Sequence, residues 1–238
     1  TFPAGFLASG LVVGLKQSGR PDMGVLTVAE EWRDRATSGV VATTNAFAAA
    51  PVVVTRDETD VDRLVAVAIN SGNANACTGP GGLEVARAMQ RACAHALGVP
   101  MRRVAVGSTG IIGVPLDAAF MAAATQKAAV VVDAGGGEAF GRAIMTTDRF
   151  PKGCALEVDL PGGPIRMAAC GKGAGMIAPA LATMLCAVTT DARLEPGEAQ
   201  ALLQTVATDT FNKVTVDGEM STNDSVYFLA SGASGVTV

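Results

Sequence analysis

Residues 173–190 carry no charged side chain, and this stretch constrains the fold more than any other feature of the sequence. It is interrupted by Gly173, Gly175 and Pro179, and it places the hydroxyl of Thr183 among small and apolar neighbours. A transmembrane helix would be free of such breaks, and a core strand would be shorter and would rarely contain proline. The sequence therefore predicts a buried, irregular loop that runs into a strand, with Thr183 at the junction. Because irregular buried backbone is costly unless its polar groups find partners, this loop is a candidate functional site.

The composition of the chain argues against several functional classes. The net charge is −4, and no basic run with interleaved aromatic residues is present, so binding to nucleic acid is not predicted. Nearly half of the residues are apolar but only 4% are aromatic, which suits closely packed α/β layers of small side chains. The first residues lack a charged start followed by an apolar signal core. We therefore expect a cytoplasmic protein without a membrane partner.

The cysteines and the histidine limit the possible metal and base chemistry. Five cysteines occur without a CxxC pair, at Cys77, Cys93, Cys154, Cys170 and Cys186. This spacing argues against a disulfide framework or a structural zinc site, and we expect Cys93, Cys170 and Cys186 to be buried, inert thiols. The single histidine, His95, falls near the end of a predicted helix. A catalytic base must therefore come from elsewhere, and we expect no metal and no bound cofactor.

Hydrophobic periodicity predicts strands interspersed with helices. The predicted strands are residues 23–29, 39–44, 52–54, 64–69, 103–107, 154–160, 165–170 and 184–188, and the predicted helices are residues 82–97, 116–129, 138–145 and 199–211. Residues 1–16 are interpreted as an approach segment. This order of elements is compatible with layered α/β packing.

Two predicted strands end in polar loops that contain glycine. Residues 70–79 are rich in Asn, Ser and Thr, which hydrogen-bond their own backbone in turns, so we expect a role in supporting a site. Residues 108–113 form a Ser-Thr-Gly turn whose backbone N–H groups could face a ligand. The glycine run at residues 135–137 lacks a complete phosphate-loop motif and predicts a turn before a short helix.

Six stretches of the sequence, together with Thr-Thr-Asp at residues 189–191, carry a resemblance to a known family: residues 1–16, 70–79, 108–113, 143–148, 172–185 and 216–224. The stretch at residues 172–185, Lys-Gly-Ala-Gly-Met-Ile-Ala-Pro-Ala-Leu-Ala-Thr-Met-Leu, is similar to the hallmark of the ornithine acetyltransferase family, also called glutamate N-acetyltransferase. The resemblance implies a layered α/β sandwich, with central β-sheets flanked by helices, of the N-terminal-nucleophile type. It covers essentially the whole chain, which we treat as one domain.

The resemblance also implies how Thr183 becomes reactive. In the family the precursor cuts itself at the position of Ala182 and Thr183, and the exposed threonine then acts as the nucleophile. A threonine hydroxyl needs a base, and the new α-amino group has a reference pKa of about 7.7–8.0, against about 10.4 for lysine. One residue then supplies both nucleophile and base, and Lys172 nearby would lower the pKa of that amine by like-charge repulsion.

Further site residues follow from the same resemblance. It assigns Thr109 and Gly110 to the oxyanion hole that stabilises the tetrahedral intermediate. It places Lys172 and one of two neighbouring threonines, Thr146 and Thr147, against the substrate, and the sequence leaves open which threonine that is.

The implied reaction is the transfer of an acetyl group from N2-acetylornithine to glutamate in arginine biosynthesis, which yields ornithine and N-acetylglutamate. Acetyl-CoA is a possible alternative donor. Processing would give an α piece of residues 1–182 and a β piece that begins with residues 183–238, and two of each would form a heterotetramer. Sequences of the family continue beyond Val238, and part of the substrate site lies in that continuation.

Two other functions remain open on the residues alone. An aminopeptidase or amidase with an N-terminal nucleophile would use water in place of the amine acceptor. A non-catalytic small-ligand-binding relative would be built around the glycine loops and would leave the chain uncut.

Overall fold

The computed structural model of the protein describes residues 1–178 and 184–238. Within them the strands are β1 (Phe6–Leu11), β2 (Met23–Val28), β3 (Thr37–Ala42), β4 (Ala66–Asn73), β5 (Val104–Ile111), β6 (Lys152–Leu160), β7 (Gly163–Lys172), β8 (Leu185–Thr190) and β9 (Ser225–Ala230). The α-helices are α1 (Ala50–Glu58), α2 (Gly79–Leu97), α3 (Ala118–Val130), α4 (Gly137–Ala143) and α5 (Glu198–Asp209).

The strands form two mixed sheets. The first has the order β1-β2-β4-β5 and the second the order β3-β9-β8-β7-β6. One pair in each sheet is parallel: β4 with β5, where Gly72 lies opposite Gly110, and β8 with β9, where Leu185 lies opposite Ser225. Because parallel strands end at the same edge of a sheet, the polar loops that follow β4 and β5 are neighbours in space.

The two sheets pack face to face between layers of helices. Side chains alternate along each strand, so Leu26, Val67 and Ile69 face Leu185, Tyr227 and Leu229 of the second sheet, as the period of two requires. The hydroxyl of Tyr227 donates to the carbonyl of Val106 at 3.0 Å and ties the sheets together. The opposite face of the first sheet packs against α1, α2 and α3, and α5 covers the second sheet. The result is a helix–sheet–sheet–helix sandwich, which confirms the predicted layered α/β fold.

Most predicted elements are present within a few residues of their predicted bounds, with one clear error. Residues 52–54 were predicted as a strand because of three consecutive valines, but they lie in α1. Pro51 stands in the first turn, where its fixed φ favours a helix, and Val52 and Val54 are buried there. Residues 1–16 contain β1, whose Phe6 and Ala8 are buried in the core.

The cysteine prediction is confirmed for Cys93 and Cys186, which are buried, while Cys170 is only partly buried. Burial raises the pKa of all three thiols to about 12. His95 is exposed in the last turn of α2. Among the helices of the described ranges, none is both long enough and apolar enough to span a bilayer.

Candidate active site

A pocket of about 590 Å³ brings together most of the residues that the sequence assigns to the site. Its wall combines the end of β5, the end of β7, the loop after α4 and the loop between β1 and β2. The site residues that line it are Thr109, Gly110, Thr146, Thr147 and Lys172. Residues separated by more than sixty positions thus converge on one cavity.

The glycines at the ends of β4 and β5 set the shape of this wall. Gly110 has a φ of +136° and Gly72 a φ of +101°, which side chains rarely adopt. A methyl group added at Gly110 would lie only 2.3 Å from the carbonyl carbon of Gly72. The close approach of β4 and β5 therefore depends on the missing side chain of Gly110, whereas a side chain at Gly72 would meet Leu15 and Lys16 of the loop after β1.

Lys172 and Thr109 form the central polar contact of the pocket. The ammonium of Lys172 donates to the hydroxyl oxygen of Thr109 at 3.1 Å, and both side chains are buried. Burial lowers the pKa of Lys172, while the charges of Asp148 and Asp224 oppose this shift. Since Lys172 occupies an acceptor position of the Thr109 hydroxyl, the hydroxyl hydrogen of Thr109 is left to donate to a third group.

Asp148 connects the threonine loop to the end of β7. Its carboxylate accepts hydrogen bonds from the backbone N–H of Gly173 at 2.8 Å and of Thr146 at 3.2 Å. It also accepts from the ammonium of Lys152 at 2.5 Å. Burial alone would raise the pKa of Asp148, but these hydrogen bonds and the charge of Lys172 hold the pKa below its ordinary value. A buried carboxylate thus fixes the backbone of Thr146, which lines the pocket, and of Gly173, which follows Lys172.

Hydrogen bonds connect residues 70–79, of which residues 70–73 belong to β4, to the β5 wall of the pocket. The hydroxyl of Ser108 donates to the side-chain oxygen of Asn70 at 2.6 Å, and the Asn70 amide donates to the carbonyl of Asn73 at 2.9 Å. The side-chain amide of Asn73 donates to the carbonyl of Val114 at 3.0 Å. These contacts hold the β5 loop in place without entering the pocket.

Two aspartates that the sequence analysis left without a role hold the chain on either side of residues 179–183. Asp217 accepts from the backbone N–H groups of Met176 at 2.6 Å and Ile177 at 2.8 Å. Asp224 accepts from the N–H of Met184 at 2.9 Å. Burial raises the pKa of Asp224 to about 7, while hydrogen bonds from Met184 and Ser221 and the charge of Lys172 act to lower it. In the sequence, Asp217 and Asp224 were marked only by the family resemblance of residues 216–224, which assigned neither aspartate a role.

The predicted nucleophile Thr183, and Ala182 at the predicted cleavage site, lie outside the described residues. Their roles stay predictions. The structure does show that Met184, which is covalently attached to Thr183, is held by Asp224. In the part of the chain described, no group of three or more metal-ligating side chains comes together.

Comparison with known proteins gives a match to the model of the ArgJ family over residues 7–237. The arginine biosynthesis bifunctional protein ArgJ of Symbiobacterium thermophilum is 43% identical over 235 residues, which cover 99% of this chain and 58% of that protein. The chain thus spans little more than half the length of that relative.

Two solved structures resemble the fold. The ornithine acetyltransferase of Mycobacterium tuberculosis, crystallised with ornithine, aligns with a TM-score of 0.62 and 36% identity over 74% of this chain and 92% of that chain. The L-aminopeptidase D-Ala-esterase/amidase of Ochrobactrum anthropi, described as a variant of the Ntn-hydrolase fold, aligns with a TM-score of 0.55 and 14% identity. This alignment covers 96% of this chain and 72% of the aminopeptidase, and it shows a shared fold alone.

Proposed function

We propose, since this chain belongs to the ArgJ family, that it forms part of an acetyltransferase of arginine biosynthesis that moves the acetyl group of N2-acetylornithine to glutamate. Membership of the ArgJ family supports a role in arginine biosynthesis. The ornithine bound in the M. tuberculosis structure supports an ornithine-type amino acid as substrate. We place the reaction in the pocket that contains Thr109, Gly110 and Lys172.

The observation that carries this proposal is the hydrogen bond from Lys172 to Thr109. It fixes the Thr109 hydroxyl as an acceptor toward Lys172, so its own hydrogen is available to an oxyanion beside the Gly110 backbone. Preorganised donors of this kind stabilise the charge that develops on the carbonyl oxygen in acyl transfer. The buried ammonium of Lys172 strengthens the effect because it polarises the Thr109 hydroxyl in a region of low dielectric.

In the proposed cycle, the Thr183 oxygen attacks the carbonyl carbon of the N-acetyl group and its proton passes to the α-amino group of Thr183. The C–N bond then breaks, that proton goes to the departing amine, and ornithine leaves an acetyl ester on Thr183. The amine of glutamate attacks this ester, which releases N-acetylglutamate and restores the hydroxyl. The α-amino group is a suitable base because its reference pKa, about 7.7–8.0, lies close to neutral pH.

The free α-amino group requires cleavage between Ala182 and Thr183. In the proposed step, the Thr183 oxygen attacks the Ala182 carbonyl, the peptide becomes an ester, and water hydrolyses it. We further propose a cytoplasmic heterotetramer of two α and two β pieces, and acetyl-CoA as a possible second donor.

Replacement of Thr183 tests the mechanism. We expect Thr183→Ala to abolish both chain cleavage and glutamate-dependent release of ornithine from N2-acetylornithine. Thr205→Ala, which removes an exposed threonine hydroxyl from α5, is the matched control and should leave both unchanged. Near-normal turnover by Thr183→Ala would exclude Thr183 as the nucleophile.

A hydrolase is the second candidate, because the Ochrobactrum aminopeptidase shares the fold. In that case water would resolve the acyl-enzyme, and acetate would be released at the same rate with or without glutamate. A non-catalytic ligand-binding protein would bind the substrate without cleavage of the chain or release of either product.

A further inference from the structure

Lys16 contributes a second lysine to the wall of the pocket, and neither the sequence analysis nor the proposed cycle uses it. It lies in the loop that follows β1. The side chain of Asp22 is completely buried and accepts hydrogen bonds from consecutive backbone N–H groups of that loop. These donors are Val13 at 2.7 Å, Gly14 at 3.1 Å, Leu15 at 2.6 Å and Lys16 at 2.9 Å. The backbone that carries Lys16 is therefore held firmly in one conformation.

This loop packs directly against the strand beside the proposed oxyanion hole. A methyl group added at Gly72 would lie 3.2 Å from the carbonyl oxygen of Leu15 and 3.2 Å from Cγ of Lys16. Gly72 is in turn the register partner of Gly110. The aliphatic part of Lys16 thus lies one strand away from the position at which the tetrahedral oxyanion would form.

The ammonium of Lys16 can donate further hydrogen bonds. It donates to the carbonyl of Pro21 at 2.6 Å, and an ammonium has three N–H groups. Over residues 1–178 and 184–238, no carboxylate forms an ion pair with it. A half-buried cation without a directly paired carboxylate is costly, and an anion bound in the pocket would offset that cost.

We propose that Lys16 binds the α-carboxylate of the amino-acid substrate and so selects for amino acids over other amides and amines. This inference rests on the proposed function, because donor and acceptor in that reaction share one feature: a carboxylate on the carbon that bears the reacting nitrogen. A carboxylate site close to the oxyanion hole is what such a pair requires.

The experiment compares two substrates on two proteins. The substrates are N2-acetylornithine and N2-acetylornithinamide, in which a carboxamide of similar size replaces the carboxylate. The variant is Lys16→Met, which keeps an unbranched apolar stem and removes the charge. Lys127→Met, on an exposed lysine of α3, is the matched control.

We expect Lys16→Met to lower kcat/KM for N2-acetylornithine about 10- to 100-fold, mainly through KM, because hydrogen bonds to charged groups are worth roughly that much. The same variant should change kcat/KM for the amide little, so the wild-type preference for the acid is lost. Lys127→Met should keep the full preference.

The pH dependence offers a second readout. Burial lowers the pKa of Lys16 to about 8, Asp22 and Asp148 raise it, and Arg20 and Lys172 lower it further. The ammonium is present below that pH, so KM for N2-acetylornithine should rise above about pH 8. Lys16→Arg keeps its charge and should remove this rise.

The outcomes separate the two proposals. If the wild-type enzyme transfers acetyl and prefers the acid, but Lys16→Met keeps that preference, the role of Lys16 is wrong and the proposed function stands. If Lys16→Met weakens both substrates equally, Lys16 only supports the loop, and the inference is again overturned. If the wild-type protein transfers no acetyl group at all, the proposed function fails, and the inference fails with it.

Discussion

Substitution of Gly110 by alanine should disturb the fold and the proposed oxyanion hole together. The added methyl would lie 2.3 Å from the carbonyl carbon, and 2.6 Å from the oxygen, of Gly72, and 2.5 Å from the nitrogen of Asn73. These are backbone atoms, so no side-chain rotation can relieve the contact. The ends of β4 and β5 would have to separate by about 1 Å to reach an ordinary carbon–carbon distance.

The size of the effect follows from two contributions. A positive φ costs an alanine roughly 1–2 kcal/mol relative to glycine, and overpacking against immovable atoms adds about 1–3 kcal/mol. Gly113→Ala is the matched control, because Gly113 also has a positive φ, +82°, but an added methyl there would meet no atom within 4 Å. We therefore expect Gly110→Ala to lose about 1–3 kcal/mol more unfolding free energy than Gly113→Ala.

Denaturant unfolding of the two variants measures this difference, and steady-state kinetics measures its consequence. A displacement of about 1 Å at the oxyanion donors should lower kcat about 100-fold in Gly110→Ala, whereas Gly113→Ala should stay near wild type. Equal losses of stability in the two variants would refute the steric argument. Unchanged kcat in a folded Gly110→Ala variant would refute the place of Gly110 in the site.

Three further expectations concern other parts of the site and the core. Thr109→Val should lower kcat about 10²–10³-fold with a smaller change in KM, as loss of an oxyanion donor does, whereas an unchanged kcat would remove Thr109 from the mechanism. Asp148→Asn should cost about 1–3 kcal/mol of unfolding free energy at pH 7. Because the pKa of Asp148 is held below its ordinary value, its contribution to the unfolding free energy is present at neutral pH and disappears as the pH falls below about 4. The unfolding free energies of wild type and Asp148→Asn should therefore converge in acid. The control Asp159→Asn, at an exposed position, should barely differ from wild type at either pH. In the native protein at pH 8, a thiol reagent should label the exposed thiols of Cys77 and Cys154. It should not label Cys93, Cys170 or Cys186, because their pKa values of about 12 keep these thiols protonated. Fast labelling of Cys186 would contradict its burial.

The residues that the sequence predicted best lie at the ends of strands. The strand signal of residues 64–69 and 103–107 is strong, but both strands extend beyond these runs. β4 continues to Asn73 and β5 to Ile111, so Thr109 and Gly110 lie in the last residues of a strand and not in the loop predicted for them. Periodicity alone could not pair β4 with β5 or bring Lys172 to Thr109, since these contacts depend on the order of strands in the two sheets. The resemblance supplied that link.

The elements that sequence reasoning missed depend on distant contacts. Three consecutive valines favour a strand locally, but α1 forms because Thr55 exchanges hydrogen bonds with Val106 of β5 and because the helix buries its apolar side. Lys16 and Asp22 lie in or beside the approach segment, whose resemblance to the family's opening gave neither residue a role. Their place in the site depends on two distant contacts: Asp22 accepts hydrogen bonds from the loop backbone, and this loop packs against Gly72 of β4.

The most direct test of an acetyl-Thr183 enzyme is the intact mass of the protein after incubation with N2-acetylornithine alone and rapid quenching in acid. We expect two pieces that meet between Ala182 and Thr183, with one acetyl group on the piece that begins at Thr183. Addition of glutamate before quenching should remove that acetyl group. An unbroken chain, or a cleaved chain that never carries the acetyl group while N-acetylglutamate accumulates, would contradict the proposed mechanism.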